Sequence, residues 1–117
     1  MANEIAYSFT LSFSKSGAGD SKAVSGNVNV SGTDYVRGVQ AVGTSDETIS
    51  LVDVGTPGWC YLKNLDATNY VEAGSDGTNY FVKMKAGESA FFRVASAAVH
   101  VKANTASCNV EYMIIED

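Results

Sequence analysis

The chain has 117 residues, 45% of them hydrophobic and 18% charged, with a formal net charge of -5. That size suits one domain, and the charge content lies below the roughly 25% usual for soluble proteins. The eight Lys and Arg residues are scattered rather than gathered in a stripe, which excludes the electrostatic footprint of a nucleic-acid binder and disfavours an anionic membrane surface.

The opening residues Met1 to Phe9 carry neither a basic n-region nor a continuous apolar h-region, so synthesis and folding in a cytoplasm is expected. No stretch approaches the ~18 apolar residues of a transmembrane helix. From Ile5, Tyr7, Phe9, Leu11 and Phe13 alternate with Ala6, Ser8, Thr10 and Ser12, which predicts a strand with one apolar and one small polar face. Ser14 to Lys22 reads as a turn, and Val24, Val28 and Val30 as a second strand with Gly26 as a bulge. The two runs suggest a hairpin or a pair of sheet partners.

Tyr35 to Val42 is the next predicted strand, followed by a short one over Thr48 to Val54 with Ile49 and Leu51 inward. Gly55-Thr-Pro-Gly58 is a breaker holding the single proline. Strands follow over Trp59 to Leu65, Tyr70 to Ala73, Tyr80 to Met84, around Ala90 to Val94 and around Val99 to Lys102, and a long one from Cys108 to Ile114. Ala95 to Val99 is a weak helix candidate, too short to matter. Turn signals every eight to twelve residues predict an all-β, single-domain antiparallel β-sandwich of about 8–10 strands spanning 1–117, jelly-roll-like, with 1–7 as an N-terminal arm or edge strand.

Candidate chemistry is sparse. His100, the single histidine, lies between Val99 and Val101 on the predicted outward face of a strand, with no nucleophile motif near it. Cys60 and Cys108 match no zinc spacing and read as two buried thiols, a disulfide between them being the alternative. Asp46, Glu47, Asp53, Glu72 and Glu111 are the carboxylates that a glycosidase-type pair could draw on, but they read as solubilising charges. Asp66, Asn69, Asp76 and Asn79 have calcium-ligand chemistry, and they equally serve as turn formers. Gly17-Ala-Gly19 lacks the strand–helix context of a phosphate loop. No catalytic, cofactor or metal residue is therefore assigned, and no enzyme activity is expected.

The remaining lead is aromatic. Trp59, Tyr61, Tyr70, Tyr80, Phe81, Phe91 and Phe92 crowd the second half, and alternation puts Phe81 opposite in face to Tyr80 and Phe91 to Phe92. Outward rings can belong to a protein interface, form a sugar-stacking platform, or stand alone without function. The candidate interface residues are Met1, Ala2, Asn3, Glu4, Ile5 and Tyr7 at the N-terminus, and Tyr80, Phe81 and Phe91 on the later strands.

Asp53-Val-Gly-Thr-Pro-Gly-Trp59, Tyr61-Leu-Lys-Asn-Leu-Asp66, Tyr70-Val-Glu-Ala-Gly74, Lys85-Ala-Gly-Glu-Ser-Ala-Phe-Phe-Arg93 and Val110-Glu-Tyr-Met-Ile-Ile-Glu-Asp117 resemble segments of small β-sandwich virion structural proteins of tailed bacteriophages. The resemblance covers roughly residues 39 to 117. It implies a capsid decoration (cement) protein on the outer capsid surface of a virion, made in the host cytoplasm. Its partners would be the major capsid protein or other virion proteins, and further copies of itself, a trimer being favoured. A tail- or fibre-associated virion protein and a carbohydrate-binding sandwich are the alternatives. The resemblance brings no catalytic residue and no cofactor.

Overall fold

A computed structural model describes residues 4–117 and divides the chain into two compact units, 1–31 and 32–117. The described residues contain ten strands and no helix, and every strand pairing is antiparallel. The all-β sandwich predicted from the turn spacing is the fold observed. The division falls at Ser31/Gly32, just before the third strand.

The first unit is a two-stranded hairpin of β1 (Ile5–Lys15) and β2 (Ala18–Val28). Its register is unbroken from Ile5↔Val28 to Lys15↔Ala18. The turn is only Ser16-Gly17, with φ of 51° and 85°. Two positive φ values are what a two-residue connection needs to match the strands' twist, and Gly17 adopts one without a Cβ penalty. The predicted nine-residue turn is therefore corrected: Ala18 to Lys22 is strand. Gly26 is not a bulge either, because it pairs in register with Tyr7, whose ring fills the space a Cβ would take.

The second unit is an eight-stranded sandwich. One sheet has the order β3 (Tyr35–Val42), β10 (Cys108–Glu116), β5 (Pro57–Asn64), β8 (Ser89–Arg93). The other has the order β4 (Glu47–Thr48), β9 (His100–Ala103), β6 (Val71–Gly74), β7 (Tyr80–Met84). The pairs β6·β7, β5·β8, β4·β9 and β3·β10 nest like one long hairpin with its tip at 75–79. Rolling that hairpin on itself adds β10·β5 and β9·β6, which makes a jelly roll.

Alternating side chains of both sheets meet inside, where Val42, Leu62, Val71, Val101, Val110 and Ile114 are fully buried. The fourth predicted strand shrinks to Glu47–Thr48, although Ile49 is buried as expected. Pro57, expected to break the chain, is the buried first residue of β5, one of the few sheet positions that needs no donor. Cys60 and Cys108 are both buried and free.

Candidate functional site

Three surfaces carry the chemistry of this molecule: the hairpin, the outward face of the sheet containing β10, and the outward face of the sheet containing β9.

In the hairpin, directly paired residues share a face. Ile5, Tyr7, Phe9, Leu11 and Phe13 therefore lie on one side with Val28, Gly26, Val24, Lys22 and Asp20. The opposite side is built from Ala6, Ser8, Thr10, Ser12 and Ser14 with Asn27, Ser25, Ala23, Ser21 and Gly19. The apolar side is exposed towards the turn: Phe9 is 50% accessible, Leu11 72% and Phe13 59%. A two-stranded ribbon with a bare apolar face is marginal in water unless something covers it.

The outward face of β3-β10-β5-β8 follows from the same registers. Tyr35, Ile115, Trp59 and Arg93 form one cross-strand row, and Arg37, Met113, Tyr61 and Phe91 the next. A third row holds Val39, Glu111, Lys63 and Ser89. Two of three rows are thus mainly apolar on a face that antiparallel sandwiches ordinarily keep polar. Trp59 stacks on Phe91 with ring centroids 4.8 Å apart, and the Arg93 guanidinium lies 5.2 Å from the indole centroid. Arg93 also pairs with Asp117 at 2.9 Å, and the Tyr61 hydroxyl donates to Glu111 at 2.8 Å. These contacts fix the rings as a rigid platform.

The other outward face is charged. Glu72 pairs across strands with Lys83 and Lys102. The ammonium of Lys83 sits over the Tyr70 ring and that of Lys102 over the Tyr80 ring. His100 is half-buried and holds Nδ1 at 3.0 Å from an Asp46 carboxylate oxygen. The Tyr80 hydroxyl donates to the same carboxylate. His100 thus has the orienting partner that its sequence neighbours did not suggest. The Tyr80 hydrogen bond is the main cause holding the Asp46 carboxyl below its usual range. Desolvation and Asp46 push the Tyr80 phenol up to about 12, so it stays a donor. The cluster ties the segment before β4 to β7 and β9. The hydroxyl held at this carboxylate is the Tyr80 phenol, and the imidazole beside it is oriented through Nδ1.

The other titratable candidates are occupied locally. Asp66 accepts from the amides of Thr68 and Asn69, and Asp76 from the amides of Thr78 and Asn79. These bonds lower both carboxyl pKa values and close their turns. Among the described residues no three His, Cys, Asp or Glu side chains gather to hold a metal ion. A cleft of about 100 Å³, lined by Phe81, Val82, Phe92 and Val94 among others, opens where β7 meets β8. It is smaller than the ~300 Å³ at which small-molecule sites begin.

Comparison with family models, with curated proteins and with solved structures finds no match.

The predicted interface residues fall in different places. Met1, Ala2 and Asn3 lie outside the described residues. Glu4 is exposed, Ile5 is buried and Tyr7 is half-buried against Gly26. Phe91 belongs to the apolar sheet face, Phe81 stands 81% exposed at the cleft, and Tyr80 is engaged by Asp46 and Lys102. Sequence reasoning missed Phe9, Leu11 and Phe13 as surface, and also Tyr35, Val39, Met113 and Ile115. The unbroken run Tyr112-Met-Ile-Ile115 carried that signal, since a strand apolar at every position must show apolar groups on both faces.

Proposed function

We propose that this protein is a structural component of a tailed-bacteriophage virion, a capsid decoration protein that binds the outer surface of the head and stabilises it by protein–protein contacts. It works by binding, without turnover, and it self-associates, with a trimer the favoured state. The observation that carries the reading is the pair of exposed apolar faces, one on the hairpin and one on the sandwich. Surfaces of this kind have a use in assembly, where burial of apolar area drives association. The net charge of -5 supports a protein partner over packaged nucleic acid.

The Trp59 ring is engaged by Phe91 and Arg93, which favours an assembly surface over a sugar platform. The test is co-sedimentation of the purified protein with empty heads and, separately, with isolated tails. Saturable binding to heads at a fixed copy number per capsomer is the expected result. Binding to tails alone would move the assignment to a tail- or fibre-associated protein, and binding to neither would remove the virion reading.

A further inference from the structure

We propose that the apolar face of the hairpin docks on the apolar outward face of the sheet β3-β10-β5-β8 in a second copy of this chain. The inference builds on the self-association in the functional reading and on none of its virion context. In the isolated chain both faces are exposed, Leu11 at 72% on the hairpin and Tyr35 at 64% in the first apolar row of the sheet, with Val39 also exposed beside the second. Each is what the other lacks: a single-layer ribbon needing a surface to pack on, and a sheet face needing a cover. The reverse side of the hairpin carries only Ala, Ser, Thr, Asn and Gly residues, so one side docks and the other stays in water.

The dimensions agree. Eleven residues per strand at ~3.3 Å and two strands at ~4.8 Å give a hairpin face of about 36 Å by about 10 Å. The receiving sheet is about 19 Å wide across four strands and about 30 Å long along β10, enough to seat the ribbon along most of its length. In a reciprocal pair each subunit donates one hairpin and receives another, which covers roughly 700 Å² of its surface, close to the ~800 Å² per partner of a standard interface; in a ring the same area is split between two neighbours, about 350 Å² to each. The two patches differ, so the contact closes either as a reciprocal pair or as a ring. Sheet-on-sheet packing at ~10 Å lets Phe9, Leu11 and Phe13 reach between the Tyr35–Trp59 and Met113–Phe91 rows.

The test uses the full chain. Leu11→Cys and Val39→Cys subunits are co-expressed and treated with a short bismaleimide, while Cys60 and Cys108 stay buried. A covalent dimer joining one Leu11→Cys to one Val39→Cys chain is expected, with neither variant linking efficiently to itself. Light scattering on Leu11→Glu and on Val39→Glu is expected to show self-association weakened by roughly tenfold or more, with unchanged far-ultraviolet circular dichroism. Leu11→Cys chains that link only to each other would overturn the proposal in favour of hairpin-to-hairpin contact. A wild-type chain that stays monomeric at every concentration would overturn it as well. A monomer that still saturates heads would do so while leaving the decoration role standing. A cross-linked oligomer that ignores heads would keep the docking and remove the decoration role.

Discussion

The side-chain amide of Asn64 donates to the main-chain carbonyl of Met84, 3.1 Å away, and so joins the end of β5 to the end of β7 inside the molecule. The same amide donates to the carbonyl of Asn69 at 2.8 Å, and its oxygen accepts from the amide of Asp66 at 2.9 Å. Asn64 is fully buried, and these three bonds satisfy its side-chain amide.

Asn64→Ala leaves two carbonyls and one amide short of a partner. Each unsatisfied buried group costs about 1–3 kcal/mol, so a loss of about 2–4 kcal/mol is expected after partial rescue by water. Urea unfolding measures it as a lower midpoint at unchanged slope. A variant within about 0.5 kcal/mol of wild type would mean that Asn64 does not hold the 64–70 loop.

Glu116 ties two segments to the end of β10. One carboxylate oxygen accepts from the amides of Thr33 and Asp34, the other from the amide of Gly55 at 2.8 Å. Those bonds hold its carboxyl below the usual range in the folded state. The stabilisation is therefore present above the unfolded carboxylate value of about 4.3 and is lost as pH falls through the depressed folded value. Melting temperature against pH should drop more steeply on the acid side in wild type than in Glu116→Gln. Parallel curves would show that the clamp contributes no pH dependence.

Both thiols should be silent in the folded protein. Burial pushes the Cys60 thiol up to about 12 and raises that of Cys108 as well. Since the thiolate is the reacting form, a neutral disulfide reagent should modify neither residue until the chain unfolds. Labelling at the rate of an exposed thiol, before any loss of circular dichroism, would contradict the packing around β5 and β10.

How much of this was legible in the sequence depended on what each feature is made of. β1 is readable because its period-two alternation is written in the composition, and β5 and β10 because turn formers bound their apolar runs. Their order is not, because β3·β10 and β4·β9 join residues far apart in sequence through backbone bonds that no side chain encodes. The Asp46–His100 contact was invisible for the same reason, being set by the β4·β9 pairing. Ser16-Gly17 was lost among the turn formers of residues 14–22, where Asp20 and Ser21 resemble loop yet pair with Phe13 and Ser12. The apolar outward rows went unseen because the alternation rule assigns one face of each strand to water, and β10 departs from it.

The loop at 75–79 provides a sharp test of the jelly roll's tip. Gly74 ends β6 at a register shift, where the chain packs against its own return strand. A Cβ on Gly74 would lie within van der Waals overlap of the Asn79 carbonyl, a main-chain group that cannot swing aside. At Gly77, in the same loop, the nearest atom to an added Cβ is the Asp46 carboxylate at 3.4 Å, an ordinary van der Waals distance. Overpacking typically costs about 1–3 kcal/mol when the neighbours can adjust, so Gly74→Ala should reach or exceed about 3 kcal/mol. Gly77→Ala should stay within about 1 kcal/mol, since it changes a surface loop without forcing the backbone. Asp76 makes the contrast stricter, because its carboxylate holds the amides of Thr78 and Asn79 and with them the Asn79 carbonyl that Gly74 faces. Chemical denaturation of the two variants side by side reads the difference. Equal effects at both positions would mean that the β6·β7 turn yields as a whole, and that the close approach at Gly74 does not set the shape of the tip.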